Sequence, residues 1–236
     1  MKIAIVMPTY YREDNKSFEL VNKALQSIKC QSHKDWHLFL IGDKYENKKE
    51  FKQLSNVLKD KCTSINLPIA KEREKYTNNK LALWNTGGVN ANNVGIEIAL
   101  LCCFDYIAHL DHDDEWSYNH LEEINKCIEQ NKPMFICTKA NYINNRVLPN
   151  IKSDEKYIDY LPKIGKQIHS SICVNFRMLK SRYIDYFELT NEIKPSDGIL
   201  ANDLSDEVRL NGYNSICINM VTVNHIEEAT IFMSNN

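Results

Sequence analysis

Four carboxylic acids and one imidazole stand together at Asp111-His112-Asp113-Asp114-Glu115, directly after the apolar run Tyr106 to Leu110. Such a run reads as a buried strand, so the acids sit at a strand end. If the extended conformation persists, period-two geometry puts Asp111 and Asp113 on one face and turns His112 to the other. Two carboxylates that close repel each other unless they are exposed or a cation lies between them. Hard cations such as Mn²⁺ and Mg²⁺ take oxygen ligands, often one or two carboxylates plus substrate phosphates. The plainer reading makes these acids favourable charges at the start of the next helix, with Asp114 or Ser117 as its cap. That reading suits Asp114 and Glu115 better than Asp111 and Asp113, into which the strand leads.

The elements that must hold this cluster alternate in type. Lys2 to Met7 is a short apolar run stopped by Pro8 and reads as a buried, parallel strand. Phe18, Val21, Leu25 and Ile28 recur at helical spacing, and His37 to Ile41 is a second strand ended by Gly42-Asp43. Phe51, Leu54 and Leu58 mark a helix; Asn85 to Asn93 reads as a polar loop and Gly95 to Cys103 as a helix. Leu121, Ile124 and Ile128 form a further helical stripe, and Met134–Thr138 and Ile172–Phe176 are further strands. Asp203–Leu210 reads as helix, Ser215–Val223 as strand, and Asn141–Tyr160 as a long polar loop that serves as a flap or acceptor-side insertion. Alternating strands and helices predict an α/β fold, a mostly parallel central sheet with helices on both faces. Ligands of such sheets lie outside the carboxyl ends of the strands. Thr9, Tyr10, Asp43 and Asp111–Asp114 all follow strands, which points to one site.

Composition removes several classes. The 236 residues carry a formal net charge of -2, so no bulk positive charge recruits nucleic acid. A chain of this length buries roughly 70–75% of its unfolded surface and folds without staples. The eight cysteines form no CxxC pair, against a zinc ribbon, and several lie in apolar runs; free thiols in a reducing, cytoplasmic setting are expected. No stretch approaches the roughly 20 apolar residues of a membrane span, although peripheral membrane contact stays open.

In order along the chain, several segments resemble family 2 glycosyltransferases of the GT-A fold. IAIVMPTYYRED resembles the family's first strand and Pro-Thr-Tyr turn; DWHLFLIGDKYEN resembles its second strand and Asp-containing turn, with Gly42 and Lys44 departing from the pattern. NTGGVNANNVGIEIA resembles its Gly-containing helix start, with Asn92 where an Arg is common. YIAHLDHDDEWSYNHLEEI resembles the Leu-Asp-Xaa-Asp-Asp signature. IHSSICVNFRMLK resembles the later acceptor-side strand, and ANDLSDEVRLNGY the Glu-Asp…Arg-Leu…Gly-Tyr segment, with Asn202 in place of Glu.

The resemblance implies one GT-A domain over residues 1–236, a Rossmann-like nucleotide-sugar-binding half over about 1–115 and an acceptor-side half over about 116–236. It implies a metal-dependent, inverting transfer of a sugar from a nucleotide-diphosphate donor to a glycan or other hydroxyl acceptor, in polysaccharide synthesis. Pro8, Thr9, Tyr10, Asp43, Asn85, Asn93, Asp111 and His112 would line the nucleotide-sugar pocket. A carboxylate such as Asp43 can accept the imide N–H of uracil, which favours UDP. Asp113 and the late His225 would ligate Mn²⁺ or Mg²⁺, and Asp111 would contact ribose or metal. Asp203 would be the catalytic base, with Asp206 its rival on nearly the same helical face. His169, Ser170 and Ser171 would line the acceptor side, unless they merely turn the chain into a strand. Trp84 and Trp116 could stack on a sugar, although a partly buried anchor is the commoner role. With little chain beyond these elements, acceptor recognition falls to Asn141–Ile168, the C-terminal tail or a partner. Two other readings remain: a sugar nucleotidyltransferase, disfavoured because Pro8-Thr9-Tyr10-Tyr11-Arg12 has no phosphate-loop glycine, and a nucleotide-sugar or glycan binder without catalysis. A nicotinamide-dependent dehydrogenase is disfavoured because no GxGxxG follows the first strand.

Overall fold

The computed structural model describes residues 1–12, 14 and 16–225. The chain begins with strand β1 (Ile3–Thr9), helix α1 (Ser17–Lys29), strand β2 (Trp36–Gly42), helix α2 (Lys48–Ser55) and strand β3 (Cys62–Asn66). Helices α3 (Lys71–Lys75), α4 (Lys80–Thr86) and α5 (Val89–Leu101) lead to strand β4 (Tyr106–His109) and the two-residue strand β5 (Glu115–Trp116). The second half comprises helix α6 (His120–Asn131) and strands β6 (Phe135–Tyr142), β7 (Arg146–Leu148), β8 (Tyr157–Asp159) and β9 (Ile172–Asn175). Helices α7 (Tyr186–Thr190) and α8 (Ser196–Leu210) and strand β10 (Ser215–Asn224) follow.

The strands form one sheet in the order β3-β2-β1-β4-β9-β6-β10-β5, with β7 beside β6 and β8 beside β10. The ladders among β1–β4 and between β6 and β10 are parallel; β9 runs antiparallel between β4 and β6. Most paired residues lie in parallel ladders, as expected for an α/β fold.

Both faces of β1 are covered, which is why its sequence is continuously apolar rather than alternating. Ile3, Ile5 and Met7 face α1, whose buried Val21, Ala24, Leu25 and Ile28 recur every three or four residues. Ala4 and Val6 face the other way, into a core shared with Ile96 and Ala99 of α5 and Leu200 and Leu204 of α8.

Three segments differ from expectation. Residues 85–93 are mostly helical: α4 and α5 are separated only by Gly87 and Gly88, and Gly88 takes a left-handed φ of 82°. The polar asparagines hide the helix: Asn85 and Asn92 donate their amides to carbonyls one turn back, and Asn93 bonds the distant Tyr183 backbone. The region expected as a long loop contains β7 and β8, three-residue strands that exist only because β6 and β10 supply their hydrogen bonds. Helix α8 starts seven residues earlier than Asp203.

Candidate active site

In the order β3-β2-β1-β4 successive strands are added on one side of β1 and then, with β4, on the other, and the crevice at such a reversal of strand order is where open α/β sheets bind ligands. Two groups of side chains meet there.

The first group surrounds Asp43. Its N–H donates to the Thr9 carbonyl at 2.7 Å, tying the end of β2 to the end of β1. One carboxylate oxygen, Oδ2, accepts from Arg73 Nε at 3.1 Å; the other, Oδ1, is buried and has no protein partner among the described residues. Arg73 also donates to the Asp43 carbonyl and lies over the Tyr10 ring, 5.4 Å from its centroid. His112 meets Tyr10 edge-on at 5.1 Å. Burial pushes the Asp43 carboxyl up, and Arg73 pulls against that. Thr9 Oγ1 and His112 Nε2 are likewise buried and unpartnered among the described residues. Buried polar atoms are rarely left so, and three of them round one crevice mark a place for a polar ligand. Pro8 lies within β1, half-buried, one residue before Thr9.

The second group is the acidic cluster. The strand stops at His109, and Asp111–Asp114 form a turn closed by the Asp114 N–H donating to the Asp111 carbonyl at 3.1 Å. The extended conformation therefore does not persist through the cluster. Burial still alternates: Asp111 and Asp113 are partly exposed while His112 and Asp114 are buried. Asp114 organises the turn. Its Oδ2 accepts from Ser170 Oγ at 2.6 Å, Ser170 Oγ in turn accepts the Asp111 N–H at 2.9 Å, and its Oδ1 pairs with His225 Nδ1 at 2.9 Å. Asp111 pairs with His169 Nδ1 at 2.7 Å. Behind His169 stand Tyr183 and, 3.3 Å from the Tyr183 hydroxyl, His109 Nδ1, both buried. Burial opposes ionisation of Asp111, but His169 overrides it and holds the carboxyl down at about 2. For Asp113 burial dominates, with repulsion from Asp114 and Asp111 added to it, and the carboxyl is raised despite His112.

The donor set suits a divalent cation. The strain on Asp113 is what a cation would relieve. With Nδ1 engaged by Asp114, His225 would have Nε2 to offer an ion, a carboxylate–histidine pairing of the kind that orients metal ligands. Among the described residues no three His, Cys, Asp or Glu side chains converge closely enough to enclose an ion by themselves. An ion here would be shared with substrate phosphates, as Mg²⁺ and Mn²⁺ sites commonly are.

Other expected positions lie elsewhere. Asn85 is buried in α4 and its amide donates to the Leu81 carbonyl of the same helix at 2.8 Å. Asn93 clamps the Tyr183 backbone through two hydrogen bonds, 2.8 and 3.1 Å. Trp116 is a buried anchor whose indole donates to the Ser170 carbonyl at 2.8 Å, while Trp84 is half exposed on α4. Asp203 is not brought to the cluster: burial raises its carboxyl, and the charges acting on it are Asp206 and Glu207 of its own helix. Asp197, in the first turn of α8, is brought there. It keeps accessible surface but stands in a narrow recess with His169 and Gln167. The atoms packed round it push its carboxyl up, His169 pulls it down and Asp111 raises it further. Arg73 and Asp197 both escaped sequence reasoning. Arg73 lies in Lys71–Lys75, which reads as a solvated charged helix, and Asp197 precedes the segment that carries the family-like pattern. The C-terminal tail considered for acceptor recognition, 226–236, lies outside the described residues.

A parallel half-sheet, a crevice where the strand order reverses, an acidic turn beside it and a mixed extension of the sheet define a GT-A fold. A glycosyltransferase of Acanthamoeba polyphaga mimivirus is 32% identical over 241 residues, covering 98% of this chain and 96% of the viral one. The chain belongs to this family, the family 2-like glycosyltransferases with a GT-A fold. WcaA of Escherichia coli, named for colanic acid biosynthesis, is 28% identical over 119 residues, half of this chain and 35% of its own. Among solved structures, S. aureus TarS in complex with UDP-GlcNAc superposes with a TM-score of 0.67 at 13% identity, covering all of this chain and 61% of that one. The mannosyltransferase PcManGT from Pyrobaculum calidifontis, in complex with GDP-Man and Mn²⁺, gives 0.64 at 12% identity, covering 95% of this chain and 56% of that one. No family model matches. Thus the chain spans the viral relative almost end to end but little more than half of these solved chains. The protein is an enzyme of sugar transfer. No helix among the described residues is long and apolar enough to cross a membrane.

Proposed function

We propose that the protein transfers a sugar from a UDP-sugar to a hydroxyl of a glycan acceptor, with inversion. The observation that carries the donor assignment is the unpartnered, buried Asp43 Oδ1 beside Arg73 and Tyr10. Uracil presents an imide N–H flanked by carbonyls. Asp43 accepts that N–H, Arg73 donates to a carbonyl, and Tyr10 supplies a ring face. Thr9 and His112 complete the polar lining.

Asp113 and His225 are the candidate ligands for Mn²⁺ or Mg²⁺, which when bound neutralises charge on the diphosphate leaving group. Asp111, held ionised by His169, faces the ribose or the same ion. The acceptor oxygen bonds to the anomeric carbon as the bond to the diphosphate oxygen breaks, and the electron pair leaves on the diphosphate. The acceptor's proton passes to a carboxylate within about 2.6–3.2 Å. Asp197 is assigned that role in place of Asp203, because it adjoins His169 and Asp111 and keeps accessible surface.

Calorimetric titration of UDP, GDP and dTDP, with and without Mn²⁺, tests the donor site. UDP is expected to bind in an Mn²⁺-dependent way, with the dependence lost in Asp113→Asn. Failure of every nucleotide to bind would overturn the proposal, and a preference for GDP would overturn the assignment of the base.

A further inference from the structure

On the acceptor side, β7 and the segment after β8 stand apart and leave a cleft of about 1330 Å³ that reaches from the end of β6 to the start of β10. Its lining joins three tyrosines, Tyr142, Tyr160 and Tyr213, to three cations, Arg146, Lys163 and Lys166, with Asp159 the one carboxylate among them. The cations are unspent. Arg12, Arg73, Arg177, Arg182 and Arg209 each hold a carboxylate. Arg146, Lys163 and Lys166 have no ion-pair or side-chain hydrogen-bond partner among the described residues, and all three are exposed. The cleft is also tied to the reaction centre. Its lining residue Tyr142 stacks on His225 at 5.3 Å and 23°, and His225 is held by Asp114. At its far end the cleft reaches Tyr213 and Ser215, the start of β10, so it runs roughly the length of a strand.

We infer that this cleft binds the acceptor, and that the acceptor is an extended anionic sugar chain, carrying carboxylate or phosphate groups along its length. The inference rests on the glycosyl-transfer reading above. Tyrosine faces suit the apolar faces of sugar rings, and their hydroxyls suit sugar hydroxyls. Three uncompensated cations along an open groove select a chain with repeated negative charge, and a planar guanidinium in Arg146 matches carboxylate or phosphate geometry. The strand-long shape suits an oligomer rather than a monosaccharide. Tyr142 sets the register, placing the receiving end beside His225.

The test uses the full chain and its Arg146→Ala/Lys163→Ala variant, with folding checked by thermal melting. Four probes of matched length are titrated: an oligouronate, a sugar-phosphate oligomer, neutral maltohexaose and hexaglutamate. At least one anionic sugar chain is expected to bind, with maltohexaose and hexaglutamate each weaker by roughly tenfold or more. In the variant the anionic chain is expected to weaken by roughly tenfold, with a smaller difference at high salt. The two anionic arms distinguish carboxylate from phosphate as the recognised group. Equal binding of neutral and charged chains, unchanged binding in the variant, or no sugar chain bound at all would each overturn the inference. Hexaglutamate binding as tightly as the sugar chains would replace it with an acidic-polypeptide site. UDP titrated into the same variant keeps the two readings apart: its affinity is expected to be unchanged, so a variant that loses the glycan but keeps UDP isolates the acceptor cleft. A protein that binds no nucleotide fails at the donor site instead.

Discussion

Asp197 and Asp203 lie six residues apart on α8, which carries the second carboxyl about 240° round the helix and about 9 Å along its axis from the first. They cannot both serve the same reacting atoms. Asp197 adjoins the Asp111–His169 pair, whereas Asp203 has Asp206 and Glu207 for company. Losing a general base costs roughly 10²–10⁴-fold in rate. Asp197→Asn is therefore expected to lower kcat by that factor with UDP affinity unchanged. Asp203→Asn should leave kcat within about twofold, since it removes no contact to the centre. Steady-state kinetics on both variants decide the matter, and a collapse in Asp203→Asn alone would return the role to that residue. The raised carboxyl of Asp197 adds a pH signature. A base must be ionised, so activity should fall as pH drops through a value above that of an ordinary aspartate.

Helix α5 lies close on β1 and β2. A Cβ built on Gly95 would come within 2.5 Å of Val6 Cγ1, so the residue is a packing requirement rather than a turn. Overpacking of this kind costs about 1–3 kcal/mol, more than the helix propensity of up to about 1 kcal/mol that alanine returns. Gly95→Ala is expected to lower the urea unfolding midpoint without changing the slope; an unchanged or raised midpoint would show that the helix can move away. At this scale the sequence was readable where one element carried its own signal. The runs Lys2–Met7 and His37–Ile41 name buried strands, and the stripe of α1 names its own buried face. The polar β3 and the short β7 and β8 were not readable, because their hydrogen bonds come from strands distant in sequence. The same division runs through the site. Asp111, Asp113 and Asp43 follow strong strands and stand out as candidates in the sequence. Arg73 and Asp197 gain meaning only when α3 and α8 fold against those strand ends.

At the scale of the whole molecule, folding stability depends on a buried histidine that must stay neutral. His120 opens α6 and is completely buried. Its Nδ1 pairs with Thr222 Oγ1 of β10 at 2.7 Å, and its ring stacks on Trp116 at 4.3 Å and 24°. Nε2 has no partner among the described residues. Burial pushes its pKa down to about 3, against an unfolded value of about 6.5. Between those values the unfolded chain binds a proton that the folded chain does not, so folding stability is complete above the unfolded pKa and drains away as pH falls below it. At about pH 5 the loss from this residue is roughly 2 kcal/mol, at about 1.4 kcal/mol per pH unit. His109, fully buried and also shifted downward, acts in the same direction. His169 is shifted upward by Asp111 and does not share this loss: its pairing is present below its unfolded pKa and is lost only as pH rises through the folded value. Urea unfolding at about pH 7.5 and about pH 5 should therefore show a marked acid destabilisation. His120→Asn keeps a polar atom near Thr222 but cannot titrate. It is expected to be less stable at neutral pH and to lose a large part of the difference between the two conditions. If the variant keeps the full difference, His120 is not the group that takes up the proton, and His109 becomes the next to replace.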